Sequence, residues 1–558
     1  MYPVTRMLMK NVKKWLAFVL ALCMALSLVA CAPTSNDDDP QVNLLSMSEK
    51  DHLAYLINQE LNQVLGNLST TYEVPESLGM DTTVGLRLGD SLKEMLGQNI
   101  FNDATALDFL NTITMDCDVD MKGDLTKLVM DVAMNGSDIG TVDFMMNTTD
   151  TTMWIGFPGL ADKYATMNLM DLLTGVQTGN VPQASPSPYG TASSAASAAT
   201  PMWMQLMPEL LEALPNAETL KSMVNGYVKA AVNALDNVKR ETKTVELDGL
   251  KQELTCLTIT VTEKTLDQVG LAIMKKAKDD TQLKDILQDV EEILNDATGE
   301  STELYDSFLE AVEESIEYIE SRDEDDYADD SGNVVITLNH DDTNAITGIS
   351  VITNDDDEPS SGISFQTVTQ GNAYNVEAKL VTVSYSAHWD DDLDEPVYDY
   401  TENIFSFTGG GTIKDGKKDG TFALTATVGE ETMTFANFTL KNFMANQDAT
   451  TGSLTIDPSA QILRNFGLPA EADLSLELIW DMNNTTSNVT INLNLNDMLM
   501  AGIDISFKER TAGIITEPSG AIDITDETSL NQWISGIDLD ALADNLIDAG
   551  VPSNYFGQ

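Results

Sequence analysis

Two hydrophobic periods alternate along the chain, one near four residues and one of two. Between Ser46 and Leu68, Leu53, Ile57, Leu61 and Leu65 recur at four-residue spacing and form one stripe of an amphipathic helix. A loop-rich stretch follows, through Thr82-Thr83 and Asn102-Asp103. From about Thr114 the period falls to two. Met115/Cys117/Val119/Met121, Leu128/Met130/Val132/Met134, Val142/Phe144/Met146 and Met153/Ile155/Phe157 alternate mostly with polar residues, and Lys122-Gly123-Asp124 and Asn135-Gly136 supply turns. The pattern predicts a half-buried antiparallel sheet with one apolar face.

Residues 175–201 interrupt it. Their Ser/Pro and Ser/Ala runs carry no periodic apolar content and read as a disordered surface insertion. Helical spacing resumes from Pro208 to Asn237, and a hairpin turns at Asp248-Gly249 into a strand with Leu257, Ile259 and Val261 on one face. Helices are predicted from Thr265 to Asn295 and from Thr302 to Arg322, with acidic outer faces. From Gly332 to about Lys508 nearly every segment alternates, as in Val334/Ile336/Leu338, Phe405/Phe407 and Val489/Ile491/Leu493/Leu495, so a large meander with one wet and one dry face is expected. A helical segment from Ser529 to Ala549 closes the chain, carrying Leu530, Trp533, Ile534 and Leu542. The organisation read from these shifts is 1–30, 31–45, a mixed region 46–330 holding the insertion 175–201, a strand-rich region 331–515, and a helical segment 516–558.

Charge narrows the partners. With 30 Lys+Arg against 89 Asp+Glu the net charge is -59, which repels nucleic-acid phosphates and anionic headgroups alike, so no nucleic-acid partner is expected. The basic exceptions near the start are Arg6, Lys10, Lys13 and Lys14, ahead of the apolar run Trp15 to Val29. That run ends in Leu28-Val29-Ala30-Cys31, which resembles a bacterial lipobox. The resemblance implies a signal peptide cut before Cys31, diacylglycerol on the Cys31 thiol, and a place on the extracytoplasmic face of the cell membrane, held through the lipid anchor. Two or more acyl chains anchor stably where one does not. Ala32 to Pro40 reads as a flexible tether, and without residues 1–30 the charge becomes -63.

Candidate chemistry is sparse. Cys117 and Cys256 sit in strand-like sequence and read as small core residues, with a disulfide between them left open. The acidic runs at 323–330, 355–358 and 390–395 miss the spacing of a calcium loop and read as solvated hairpin tips. His52, His340 and His388 fall in no metalloprotease motif, and no nucleophile-elbow, phosphate-loop or dinucleotide fingerprint occurs. No catalytic residue, metal ligand or cofactor is therefore assigned, and a non-enzymatic protein is expected. Trp154, Trp203, Trp389 and Trp480 read as isolated core anchors. The methionines between 115 and 170 either fill a core or line an adaptable apolar surface.

The lipobox, the N-terminal helix, the amphipathic meander and the inserted helices together resemble the lipoprotein-carrier superfamily. The order from Thr114 to Gln288 is similar to that of surface lipoproteins of Gram-positive anaerobes: a strand, Asp248-Gly249, a Thr-rich strand, and a helix opening near Glu263-Lys264. The resemblance implies an α+β fold, a large curved, half-barrel-like antiparallel meander with helices packed on its concave face. It implies an apolar or amphiphilic ligand held on that face. Two other readings stand beside it: an envelope assembly protein binding protein partners through sheet edges or the Ser/Ala/Pro-rich loop, and a carbohydrate-active hydrolase.

Overall fold

The computed structural model describes residues 44–69, 77–101, 103–149, 151–168, 213, 215–298, 301, 303–327, 332–354, 359–390, 395–446, 449–465, 469 and 471–556. The expected signal peptide 1–30, Cys31, the expected tether 32–40, the expected insertion 175–201 and the acidic run 355–358 lie outside them. In chain order the first elements are α1 (Glu49–Ser69), β1 (Ser77–Leu88), α2 (Asp90–Leu96), β2 (Thr112–Lys122), β3 (Leu125–Met134), β4 (Ser137–Asn147), β5 (Thr152–Gly156) and β6 (Ala165–Asn168). Then come α3 (Ala217–Ala234), β7 (Val238–Leu247), β8 (Leu250–Val261), α4 (Glu263–Asp279), α5 (Thr281–Thr298), α6 (Leu304–Glu320), β9 (Asn333–His340), β10 (Ile346–Asn354) and β11 (Ser361–Gln370). The remainder is β12 (Ala373–Asp390), β13 (Glu395–Lys414), β14 (Lys417–Val428), β15 (Glu431–Ala445), β16 (Ala449–Pro458), α7 (Ala460–Asn465), β17 (Leu474–Asn483), β18 (Thr486–Leu495), β19 (Met498–Arg510), β20 (Ile522–Asp523), α8 (Glu527–Ile534) and α9 (Leu539–Asp548). The fold is α+β and dominated by open antiparallel sheet, as the alternation predicts.

Two compact units divide the chain. The first takes Met1–Glu73, Trp203–Thr439 and Ala445–Gln447; the second takes Val74–Met202, Leu440–Met444 and Asp448–Gln558. Ladders run across the stretches set out from the sequence, since β8 pairs with β9 at Leu257↔Leu338 and β1 pairs with β19 at Val84↔Ile505.

In the first unit β7 to β14 pair consecutively as an antiparallel meander. The Asp248-Gly249 turn has positive φ at both residues (45° and 82°), the geometry that two-residue hairpins favour. Its core joins Leu53 and Leu56 of α1 and Val232 of α3 to Leu257 and Ile259 of β8 and Leu338 of β9. Leu254 and Cys256 alternate with these and are also buried, so β8 is covered on both faces. On that second face the β7–β8 hairpin lies over β11–β12. Gln252 Oε1 accepts from Thr369 N (2.8 Å), and Asn375 Nδ2 donates to the Leu247 carbonyl (2.9 Å). The sheet of this unit is thus curled at one end.

The helix expected from Thr265 to Asn295 is two helices. The Asp280 carboxylate accepts from Gln282 N and Leu283 N, and its own backbone is extended (φ -83, ψ 103), which ends α4 and caps α5. The C-terminal helical segment consists of two helices. Asp526 caps α8, and Asp538, accepting from Ala541 N, restarts the chain as α9.

The second unit holds β16-β17-β18-β19-β1-β2-β3-β4-β5-β6-β20 in spatial order, antiparallel except for β6 with β20. The stretch expected to be loop-rich before Thr114 is corrected here. It contains β1, which joins β2 to β19, and α2. Leu78, Met80, Val84, Leu86 and Leu88 carry the alternation that makes it a strand. The C-terminal helices are tied to this unit: Trp533 stacks on Phe157 and donates to the Lys163 carbonyl (2.9 Å), and Asn545 donates to the Ile139 carbonyl (3.0 Å).

Candidate functional site

Strand register decides which apolar side chains stand together, because residues directly opposite in an antiparallel pair share a face. In the first unit Ile349 stands opposite Phe365, Phe365 opposite Ala378, Ala378 opposite Phe407, and Phe407 opposite Leu424. A second row runs parallel to it through Val351, Ile363, Leu380, Phe405 and Ala426. Between the rows lies an apolar depression of about 220 Å³. Ligand pockets are commonly about 300–1,000 Å³, so this one suits a single acyl segment or ring. At one end Phe407 stacks on Phe422 (5.2 Å) and meets Phe438 edge-on (5.3 Å), while Phe405 remains 42% exposed. Ile349 faces Leu338 across β9, so the face begins beneath α1 and α3 and continues beyond them.

The second unit has an apolar face of its own. One row passes from Leu454 through Leu478, Ile491, Ile503 and Leu86 to Ile113. The next carries Trp480, Val489, Ile505, Val84, Met115 and Val132. Cys117 and Met130 face each other further along β2 and β3. In the middle of this face Leu493, Ile503 and Ile505 are 36–38% exposed. Met115 and Met130 are half-buried parts of the surface, whereas Met134 and Met145 are buried, so the methionine-rich stretch supplies both core and open face.

The opposite face of β1, β2, β18 and β19 is polar and holds a cavity of about 420 Å³ whose lining includes Thr83, Gly85, Arg87, Asn488, Thr490 and Asp504. Gly85, lacking a side chain opposite Asp504, leaves the notch. Arg87 Nε donates to Asp504 (2.6 Å) and its Nη2 to Asn492 (2.8 Å), and Thr490 also donates to Asp504 (2.8 Å). These bonds, Arg87 foremost, hold the Asp504 carboxyl below the usual range, the reverse of what a general acid requires. Nearby, Arg510 is clasped by Asp81 and Asp120.

Among the residues singled out from sequence, Cys117 and Cys256 are free thiols, one half-buried in the second unit and one buried in the first. No group of three or more His, Cys, Asp or Glu among the described residues could hold a metal ion. Trp154 is buried, and Trp480 packs edge-on to Phe443.

Pattern reading missed the pairing of His52 and His340. Both are buried, 0% and 3% exposed, with ring centroids 4.8 Å apart. Arg240 lies 3.4 Å from His52 Nδ1, and a guanidinium only donates, so the His52 proton is on Nε2. His340 Nδ1 is 2.8 Å from the Asp341 carbonyl, which only accepts, so this ring carries its proton on Nδ1. Among the described residues neither Nε2 has a hydrogen-bond partner. Burial first, then His340 and Arg240, push His52 down to about 4; burial also lowers His340. The signal in the sequence was position: His52 precedes Leu53 on the helix stripe, and His340 continues the Ile336/Leu338 parity.

No helix among the described residues is long and apolar enough to cross a membrane. The sequence matches no family model and no curated protein.

Proposed function

We propose that this is an exported protein, lipid-anchored through Cys31 on the extracytoplasmic face of the membrane, that binds an apolar or amphiphilic ligand against its apolar sheet faces. One observation carries the reading: Leu493, Ile503 and Ile505 are neighbours on the apolar face of the paired strands β18 and β19, yet more than a third exposed. Contiguous apolar surface of this kind mostly marks a binding surface, since leaving it wet costs about 25 cal/mol per Å². The apolar depression beside Phe405 and Phe407 supports the same reading. Such a ligand would lie as it does on the curved half-barrel of the lipoprotein-carrier superfamily, which the sequence resembles.

The chain with Cys31→Ser, which carries no acyl group of its own, tests ligand binding. Native mass spectrometry should find a co-purified lipid, and a fluorescent fatty acid should bind at micromolar concentration. Ile503→Asn/Ile505→Asn should weaken that binding at least tenfold. A chain that emerges empty and ignores the fatty acid overturns the proposal. Metabolic labelling with palmitate, lost in Cys31→Ala, tests the anchor separately.

A further inference from the structure

We propose that Lys418 and Tyr374 form the polar end of the apolar face in the first unit, a subsite for the carboxylate of an anionic amphiphile such as a fatty acid. The subsite rests on the ligand proposal, and gives that ligand an anionic head and a direction along the sheet. Strand parity puts both side chains on the face. Tyr374 shares its side of β12 with Val376, Ala378 and Leu380, and Lys418 its side of β14 with Gly420, Phe422 and Leu424. Tyr374 stands opposite Gly411, and Gly411 opposite Gly420. A Cβ on Gly420 would come within 2.5 Å of the Tyr374 hydroxyl, so the tyrosine reaches over β13 to β14. Lys418 Nζ lies 5.9 Å from its ring centre.

From Tyr374 aromatic rings lead to the depression. Phe422 is 6.4 Å from Tyr374 and stacks on Phe407 (5.2 Å), which lines the depression together with Leu424. The strand from Lys418 to Leu424 spans roughly 20 Å, about the length of an extended acyl chain. A fatty acid with its carboxylate at Lys418 thus lays its tail past Phe422 into the depression.

Two polar groups at this end lack the partners their burial calls for. Tyr374 is 6% exposed, and among the described residues its hydroxyl has no hydrogen-bond partner. Burial foremost, then Asp419, pushes it up to about 12, so near neutral pH it keeps a proton to donate. Lys418 is half-buried; burial lowers it, and no carboxylate among the described residues opposes that loss of water. Asp419, next in sequence, has the opposite parity and is exposed. In a chain with 89 acids against 30 bases, a half-buried ammonium left without a carboxylate points to an anion from outside. Against the overall charge, the tip of this hairpin holds Lys414, Lys417 and Lys418 to Asp415 and Asp419, a local positive excess. A buried donor without an acceptor is costly, and a carboxylate between Nζ and the hydroxyl satisfies both through charge-assisted hydrogen bonds. A free small carboxylate offers the same oxygens without the tail.

The test uses the full chain with Cys31→Ser and compares cis-parinaric acid, a fluorescent fatty acid, with its uncharged methyl ester, acetate serving as competitor. The acid should bind about tenfold more tightly than the ester, although the ester is the more apolar, and acetate should not displace it. Lys418→Met should weaken the acid about tenfold and leave the ester unchanged, and Tyr374→Phe should act in the same direction. If Lys418→Met unfolds more easily in urea than the parent, Tyr374→Phe, which removes only an oxygen without a partner, decides. Equal binding of acid and ester by the parent, or acid binding that neither variant weakens, overturns the subsite while the ligand proposal stands. A parent that binds neither acid nor ester overturns the ligand proposal, and the subsite with it. Displacement of the acid by equimolar acetate would show a site for small anions with no acyl chain, and overturns the subsite as well.

Discussion

His52 and His340 tie the stability of the first unit to pH, because both rings are buried in the contact between α1 and the sheet, and burial and Arg240 disfavour a second proton on each. Glu49, which pairs with Arg240 at 3.7 Å, opposes this only weakly. The folded pair has depressed pKa values, so above about 6.5 its stability contribution is complete. As pH falls toward 4 the unfolded chain takes up protons that the folded pair refuses, and stability is lost. For His52 the shift amounts to on the order of 3 kcal/mol. Urea unfolding should therefore show a midpoint that drops faster between pH 7 and 4.5 in the parent than in His52→Leu/His340→Leu. Parallel profiles would mean that the pair does not set the slope. These histidines were legible only as apolar-face positions, since one is on a helix and the other on a strand nearly three hundred residues later.

Among the elements, β1 has the greatest leverage in its unit, because it is the strand through which the early hairpins join the late ones. Its two ladders connect Val84 to Met115 on one side and to Ile505 on the other. A proline there removes a backbone donor from a central strand. Val84→Pro should destabilise the second unit by about 3 kcal/mol, and hydrogen exchange should rise together in 112–122 and 498–510. The ladder from 333 to 381 should keep its protection; loss there as well would show that the two units unfold as one. The alternation in β1 was present in the sequence, but glycines at 79 and 85 and the Thr82-Thr83 pair resemble loop composition. Its principal partner lies more than four hundred residues away. Asp280 and Asp538 show the complementary limit. At Asp280 an apolar stripe predicted a single helix where a carboxylate accepting nearby backbone N–H groups made two, and at Asp538 the same device divides the C-terminal helical segment.

For the molecule as a whole, 89 acids against 30 bases make self-repulsion a standing cost of compactness. Salt shortens the reach of that repulsion, with a Debye length near 10 Å at 0.1 M. Raising NaCl from 10 to 200 mM should raise the unfolding temperature by a few degrees, roughly 1 kcal/mol of stability. An unchanged or lower temperature would show that ion pairs such as Arg510 with Asp81 and Asp120 outweigh the repulsion. What the sequence determined by itself is the class of the fold, the tight turns at Asn135-Gly136 and Asp248-Gly249, and a strongly negative net charge. These follow from local periodicity, backbone conformation and total charge. Tertiary structure alone decided which apolar rows adjoin, that β1 bridges β2 and β19, and that two distant histidines share a core. The physical reason is that register and strand order are set by contacts between residues far apart in the chain, and a one-residue slip would turn every such row to the other face.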